Sequence, residues 1–248
     1  MSIAASTATI RRAMILAAGL GTRFKPWTDQ HPKALAPING KSLLQRNIEY
    51  LQEYGIRDVV VNVHHFADQI IGALEANKGW GSRFTISDET SEVLETGGGL
   101  KKARPFLEEG TFVLMNVDIL TDMNLTAMIE EHLRHRPLAT IAVTGRETSR
   151  YFLFNARHEL CGWRNVQTGQ ERLARPDAGA LVQKAFSGIH VIDPAIFPLI
   201  GLNGKFSMVD LYLDLAAGRT IRGFDHSESK LIDVGKPAAV DTAAKLFP

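Results

Sequence analysis

A single cysteine, Cys161, in 248 residues excludes an internal disulfide framework and a cysteine-built metal centre. No apolar run approaches the ~20 residues that span a bilayer, so no membrane partner is expected. An excess of one charge is missing too. Lys and Arg number 28 against 27 Asp and Glu, a net charge of +1, which gives no general field for a polyanion, and nucleic acid is not an expected partner. Any grip on phosphate must come from local arrangement. Internal repeats, low-complexity tracts and Gly/Ser/Pro linkers are also lacking, which favours a single domain. What remains is ordinary globular composition, 45% hydrophobic and 22% charged, with length enough for a large core. Scarce cysteine fits a reducing compartment, and the cytoplasm is the expected location. Arg11-Arg12 ahead of an apolar stretch imitates an export signal, but that stretch is short and leads into Thr22, Arg23 and Lys25. A first strand is the better reading.

That strand, expected over 13–17, runs into Ala17-Ala-Gly-Leu-Gly-Thr-Arg23. Gly19 and Gly21 allow backbone N–H groups to turn toward a ligand and approach it closely. Arg23, Lys25 and Lys33 bring cations to the same place, and donors of this kind make a polyphosphate cradle. The loop Leu16, Ala17, Ala18, Gly19, Leu20, Gly21, Thr22 and Arg23 therefore points to a nucleotide. It is neither a dinucleotide fingerprint, whose third glycine is absent, nor a Walker A loop, which needs Gly-Lys-Ser/Thr.

Further along, strands are expected over 58–63, 83–86, 111–116, 139–144, 186–192 and 230–234, and helices over 43–54, 67–76, 97–103, 125–134 and 208–217. A hairpin is expected from 151–154 and 159–163, followed by a long polar loop over 165–180. Strands alternating with helices indicate a mostly parallel sheet covered on both faces. Residues 1–10, small and polar, read as a loose tail, and 11–248 as one domain, divided near 145.

Four other places carry chemistry. Leu94-Glu-Thr-Gly-Gly-Gly-Leu100 leaves room for a flat base or sugar against main chain, with N–H groups exposed. Asn116-Val-Asp118 puts a carboxylate at a strand's carboxyl end, where ligands meet open α/β sheets and where magnesium finds a hard oxygen. Asp233, in Ile232-Asp-Val-Gly235, supplies a second carboxylate. In Phe186-Ser-Gly-Ile-His190, Gly188 admits a ligand close to backbone and Ser187 can bond a hydroxyl. His190 reads as packed, as do Trp163 and Tyr151. His64 and His65 point to opposite faces of an extended segment, so they do not grip one ion. Asp122 reads as a loop or helix-cap residue.

With Pro32-Lys-Ala-Leu-Ala-Pro-Ile38 added, the first motif resembles the sugar-1-phosphate nucleotidyltransferases, whose pattern is approximately AAGxGTRxxPLT…PKPLxPV. Trp27 stands for the usual leucine and Ala34 for the second proline, both outside the charged set. The similarity runs over nearly the whole chain. It implies a Rossmann-like, GT-A-like α/β fold with a mixed, mostly parallel sheet. It also implies catalytic roles for Arg23 and Lys33 at the phosphates, and nucleotide contacts from 16–23 and from Glu95, Thr96, Gly97 and Gly98. Sugar contacts would come from Asn116, Ser187 and Gly188, and Asp118 and Asp233 would hold Mg²⁺. Val117 replaces the glycine of the family's Gly-Asp pair. The common Glu-Lys-Pro segment is not evident, with Gln183-Lys184 its nearest counterpart.

The Glu-Thr-Gly-Gly-Gly form, in place of a GTAG-type loop, looks most like bacterial N-acetylmuramate-1-phosphate uridylyltransferases. The implied partners are an NTP, with UTP favoured, and a sugar 1-phosphate, giving NDP-sugar and pyrophosphate. Guanylyl transfer to mannose or heptose 1-phosphate and cytidylyl transfer to phosphocholine are the alternatives within the fold. A nucleotide-sugar-binding regulator without turnover is the alternative of another class. A homo-oligomer is compatible with the sequence. An appended hexapeptide-repeat acyltransferase is not expected.

Overall fold

The computed structural model describes residues 10–176 and 179–248. The expected tail lies outside them except for Ile10, which is buried in the core and so belongs to the domain.

Alternating apolar side chains build the sheet and both of its cores. In β1 (Arg12–Leu16), Ala13 and Ile15 enter one core while Met14 and Leu16 enter the other, because successive side chains point to opposite faces. A small β2–β3 hairpin (Pro37–Ile38 and Lys41–Ser42) then leads into α1 (Leu43–Glu53), whose N-cap Ser42 accepts the Gln45 N–H at 3.1 Å. The parallel half continues through β4 (Asp58–Val63), α2 (Ala67–Ala76), β5 (Arg83–Asp88), α3 (Glu95–Lys102), α4 (Arg104–Leu107) and β6 (Phe112–Asn116). Val59, Val61 and Val63 of β4 face the first core and Val60 the second. Next come β7 (Ile119–Thr121), α5 (Leu125–His135) and β8 (Ala139–Thr144). The second half contains β9 (Arg150–Phe154), β10 (Leu160–Asn165), β11 (Glu171–Leu173), β12 (Val182–Ile192), α6 (Met208–Ala216), β13 (Ile221–Asp225), β14 (Leu231–Asp233) and α7 (Val240–Leu246).

The central sheet has the order β5-β4-β1-β6-β12-β8-β13. All of its neighbours run parallel except at β12, which is antiparallel to both β6 and β8. This is the mixed, mostly parallel Rossmann-like sheet that the sequence implies. The start of β12 also pairs with β9, which β10 and β11 extend, so one strand ties the two halves together. Its register shifts between Phe186 and His190, where Gly188 takes φ +74°. Among the described residues no helix is long and apolar enough to cross a membrane.

Two expectations change. The stretch 165–180 is not all loop, because β11 pairs with β10 although its residues are exposed. Backbone pairing holds it there without any buried face, so it left no apolar pattern to read.

The glycine triplet lies in the expected helix, but its main chain is not exposed. Gly97, Gly98 and Gly99 lie inside α3 and are buried. A Cβ on Gly98 would stand 2.4 Å from the Gly204 carbonyl oxygen, and one on Gly97 2.5 Å from Phe206 Cδ2. Gly98→Ala should therefore destabilise the protein despite alanine's better helix propensity. Overpacking costs ~1–3 kcal/mol against a propensity gain of ~1 kcal/mol, and the obstacle is backbone. A chemical-denaturation midpoint at or above that of the wild type would contradict this.

Candidate active site

The carboxyl ends of β1, β4 and β6 open into a cleft of about 620 Å³, within the ~300–1,000 Å³ usual for small-molecule sites. One wall is the loop after β1. Gly21 adopts φ +60° there and starts a tight helical turn, with its carbonyl accepting Phe24 N–H at 2.7 Å and the Thr28 hydroxyl at 3.0 Å. A side chain at 21 would stand 2.8 Å from Thr28 Cγ2 and 3.2 Å from Lys33 Cβ, so glycine is required. Gly19 instead faces open space. All eight residues from Leu16 to Arg23 line the cleft, and the exposed Leu20 together with Val93 gives it apolar surface.

The charged groups come together beside that loop. Lys33 Nζ donates to Asp118 Oδ2 with both side chains largely buried. Asp118 follows β6. Asp233 is brought to it by the β7–β14 pair, in which Asp233 faces Ile119 and Val234 N–H donates to the Asp118 carbonyl at 2.8 Å. Asp122 and Thr121 pin that pair, the carboxylate accepting Lys230 N–H at 2.7 Å and the hydroxyl donating to the Lys230 carbonyl at 2.8 Å. Asp233 is exposed, two residues before the cleft-lining Gly235. Burial, and then the charge of Asp118, raise its carboxyl above the usual carboxylate range, against the pull of Lys33 and Arg23. Arg23 completes the set. Its Nη2 stands 3.3 Å from the position a Gly235 Cβ would take, and Asp233 Oδ1 stands 2.7 Å from the same position. Gly235 thus keeps guanidinium and carboxylate close together.

These carboxylates suit a divalent cation. Two like charges converge with only partial compensation, and both are hard oxygen donors. Among the described residues there is no cluster of three or more His, Cys, Asp or Glu side chains fit to hold a metal. Magnesium requires none, since it is commonly held by one or two carboxylates plus substrate phosphates.

Several expected contacts are absent. Lys25 pairs with Asp29 at 2.8 Å and does not line the cleft. Gly97 and Gly98 are withdrawn from it, their N–H groups donating to the Phe206 carbonyl at 2.9 and 3.2 Å. Of that segment, Glu95 and Thr96 do line the cleft, Glu95 with φ +59°. Ser187 is fully buried, and its hydroxyl shares a 2.8 Å hydrogen bond with His226 Nε2, not with a ligand. A cleft-facing hydroxyl was expected, but strand alternation turns this side chain inward. Gly188 and Asn116 adjoin one another, since a Cβ at 188 would stand 2.9 Å from Asn116 Nδ2, and Asn116 lines the cleft. His190 is buried against Tyr212, sharing a 2.7 Å bond with its hydroxyl, and burial pushes its imidazole down to about 3. Tyr151 is buried and Trp163 packs against the second core.

Sequence reasoning missed a buried brace beneath the cleft. Asn62, 2% exposed, accepts the N–H groups of Ala17 and Ala18 at 2.7 and 3.3 Å and donates to Glu89 Oε1 at 2.8 Å. Burial raises the Glu89 carboxyl, and its backbone carbonyl accepts from His64 Nδ1 at 2.6 Å. The only available signal was a polar residue within an otherwise valine-rich strand. Asn62→Ala leaves two N–H groups and a buried carboxyl without this partner. It should cost ~2–4 kcal/mol, because each unmet buried group is worth ~1–3 kcal/mol. Urea unfolding would read this, and a midpoint unchanged from the wild type would rule out the brace. Arg150 and Lys205, two further cleft cations, also went unrecognised, as isolated basic residues carry no spacing signal.

Fold and cleft together define an α/β protein that presents a cation-bearing glycine loop to a pair of carboxylates, the arrangement of a nucleotide-handling enzyme. The sequence profile described as Nucleotidyl transferase matches residues 12–184, and the chain belongs to that family. It is 35% identical over 234 residues to the N-acetylmuramate alpha-1-phosphate uridylyltransferase of Caulobacter vibrioides, covering 92% of this chain and 93% of that protein. It is 28% identical over 230 residues to a mannose-1-phosphate guanyltransferase of Yarrowia lipolytica, covering 91% of this chain and 61% of that one. The crystal structure of HddC from Yersinia pseudotuberculosis complexed with GMP-PN shares the fold, with a TM-score of 0.75, 24% identity, and coverage of 96% of this chain and all of that one.

Proposed function

We propose that the protein transfers a nucleotidyl group from UTP to N-acetylmuramate 1-phosphate, releasing pyrophosphate and leaving a UDP-sugar. The observation carrying the reaction class is the convergence of Arg23, Lys33 and Asp118 on one cleft at the carboxyl ends of β1 and β6, with the Asp233 carboxyl close enough to feel all three charges. The uridylyltransferase likeness over nearly the whole chain supports the choice of substrates.

The acceptor brings its own nucleophile. A phosphate monoester loses its second proton near pH ~6, so a phosphate oxygen is already ionised at neutral pH and attacks the α-phosphorus in line. No general base is needed, which leaves the buried, neutral His190 without a catalytic task. The protein's work is to hold two polyanions together and meet the charge that develops. The loop 19–23 binds the β- and γ-phosphates, Arg23 adding a fixed cation where backbone N–H groups alone would be insufficient. Lys33 carries its ammonium group beside Asp118, and substrate phosphate competes with that carboxylate for it. Asp118 and Asp233 would hold Mg²⁺, which supplies charge neutralisation on phosphate oxygens when bound. Asn116, which packs on Gly188 and lines the cleft, would face the sugar.

The experiment is a matrix of NTPs against sugar 1-phosphates, with and without magnesium, following pyrophosphate release. UTP with N-acetylmuramate 1-phosphate should give the highest kcat/KM and require the metal. A higher value for GTP with mannose or heptose 1-phosphate, or for CTP with phosphocholine, would replace the substrate assignment. Nucleotide binding without pyrophosphate from any pair would identify a regulator.

A further inference from the structure

We propose that Arg150 recognises a second anionic group on the acceptor, so that the preferred substrate is a sugar 1-phosphate that also carries a carboxylate. The inference rests on the acceptor class proposed above and assigns a residue that reads it.

Arg150 opens β9 and lines the same cleft as Asn116, Asp118 and Gly235. It enters from β9 in the second half of the chain, whereas Arg23 and Lys33 come from the segment that follows β1. Its backbone is held on β10, where Arg150 pairs with Asn165 and Val166 N–H donates to the Ser149 carbonyl at 2.9 Å. The side chain therefore starts from a fixed point.

The other cations near the cleft already have neighbours. Lys33 bonds Asp118, Lys205 stands 3.5 Å from Glu95, Arg23 lies beside Gly235 and Asp233, and Arg146 donates to the Phe186 carbonyl at 2.9 Å. Among the described residues, the Arg150 guanidinium makes no hydrogen bond or ion pair.

The phosphates do not need it, because Arg23, Lys33 and a cation held by the two carboxylates already address them. A neutral hexose would offer it only hydroxyls. A carboxylate matches it far better: the planar guanidinium has five donors and no acceptor, and it takes both carboxylate oxygens in parallel. Besides Arg23, which the triphosphate takes, the cleft thus has one unpartnered, geometrically selective cation among the described residues, and β9 supplies it.

N-acetylmuramate 1-phosphate and N-acetylglucosamine 1-phosphate differ only by a lactyl ether that bears a carboxylate, so their kcat/KM ratio isolates this contact. Arg150→Gln should lower the ratio about 10- to 100-fold, the scale of one charge-assisted hydrogen-bonded contact. Arg150→Lys, which keeps the charge and loses the fork, should fall between. The side chain is exposed, and a thermal melt checks that both variants fold. An unchanged ratio, with both substrates losing equally, would make Arg150 a phosphate contact and overturn the inference. So would a wild-type preference for any neutral sugar 1-phosphate, and in both cases nucleotidyl transfer itself would stand. Absence of pyrophosphate release from the wild type with every acceptor would instead overturn the underlying reading.

Discussion

Arg23→Ala is expected to lower turnover roughly 100- to 1,000-fold, the usual loss when one preorganised electrostatic donor is removed from developing transition-state charge. The fold should survive. Arg23 is exposed on a short helical turn whose packing residue is Phe24, and among the described residues it makes no hydrogen bond or ion pair. The loop conformation is set elsewhere, by Gly21, Thr28 and the brace from Asn62. Circular dichroism and the melting temperature should therefore match the wild type while kcat at saturating substrates collapses. Near-wild-type turnover under those conditions would remove Arg23 from the machinery.

Asp233→Asn should be as damaging to turnover, by a similar ~100-fold or more, yet should not destabilise the metal-free protein. The sign follows from linkage. The folded carboxyl titrates above its ordinary value, so between those two values the folded state binds more protons than the unfolded one, and stability declines as pH rises through the raised value. The penalty is complete once the pH exceeds the raised value, and it vanishes below the ordinary carboxylate value. Asparagine does not ionise and escapes it. Because the site is open to water on one side, screening reduces the gain to a few tenths of a kcal/mol. Thermal unfolding without metal should show the variant level with or slightly above the wild type at neutral pH, with the gap closing in acid. The wild-type advantage should return when magnesium and nucleotide are added. A variant clearly less stable than the metal-free wild type at neutral pH would show that Asp233 is structural and not a strained ligand.

Both results concern groups that residue patterns could name and that only the family resemblance could join. The local chemistry was plain: a glycine loop ending in arginine, and a lone aspartate after each of two apolar strands. Strands such as 58–63 and helices such as 67–76 matched their expected limits, because their periodicity reflects two cores on opposite faces of one sheet. β13 and α7 carry no comparable signal. β13 (Ile221–Asp225) interrupts its apolar residues with charge and glycine and is held as an edge by β8, while α7 is short with one buried residue.

The glycine triplet shows how a correct motif can mislead about mechanism. Read in isolation, adjacent glycines mean exposed backbone. In the structure their smallness lets α3 press against the segment 204–207, which brings Lys205 and Ser207 to the cleft wall. Ser187 misled similarly, since its neighbour Gly188 packs against the cleft residue Asn116 while its own hydroxyl points into the core toward His226.

Residue order alone settled the architecture and the chemical vocabulary, because hydrophobic alternation and the backbone freedom of glycine act over a few neighbouring positions. Folding settled which charges meet. Asp118 reaches Asp233 only through the pairing of β7 with β14, and Asn62 reaches Glu89 and the glycine loop only across adjacent parallel strands. Contacts of that kind depend on register and close approach between remote segments, and neither leaves a periodic trace in the chain.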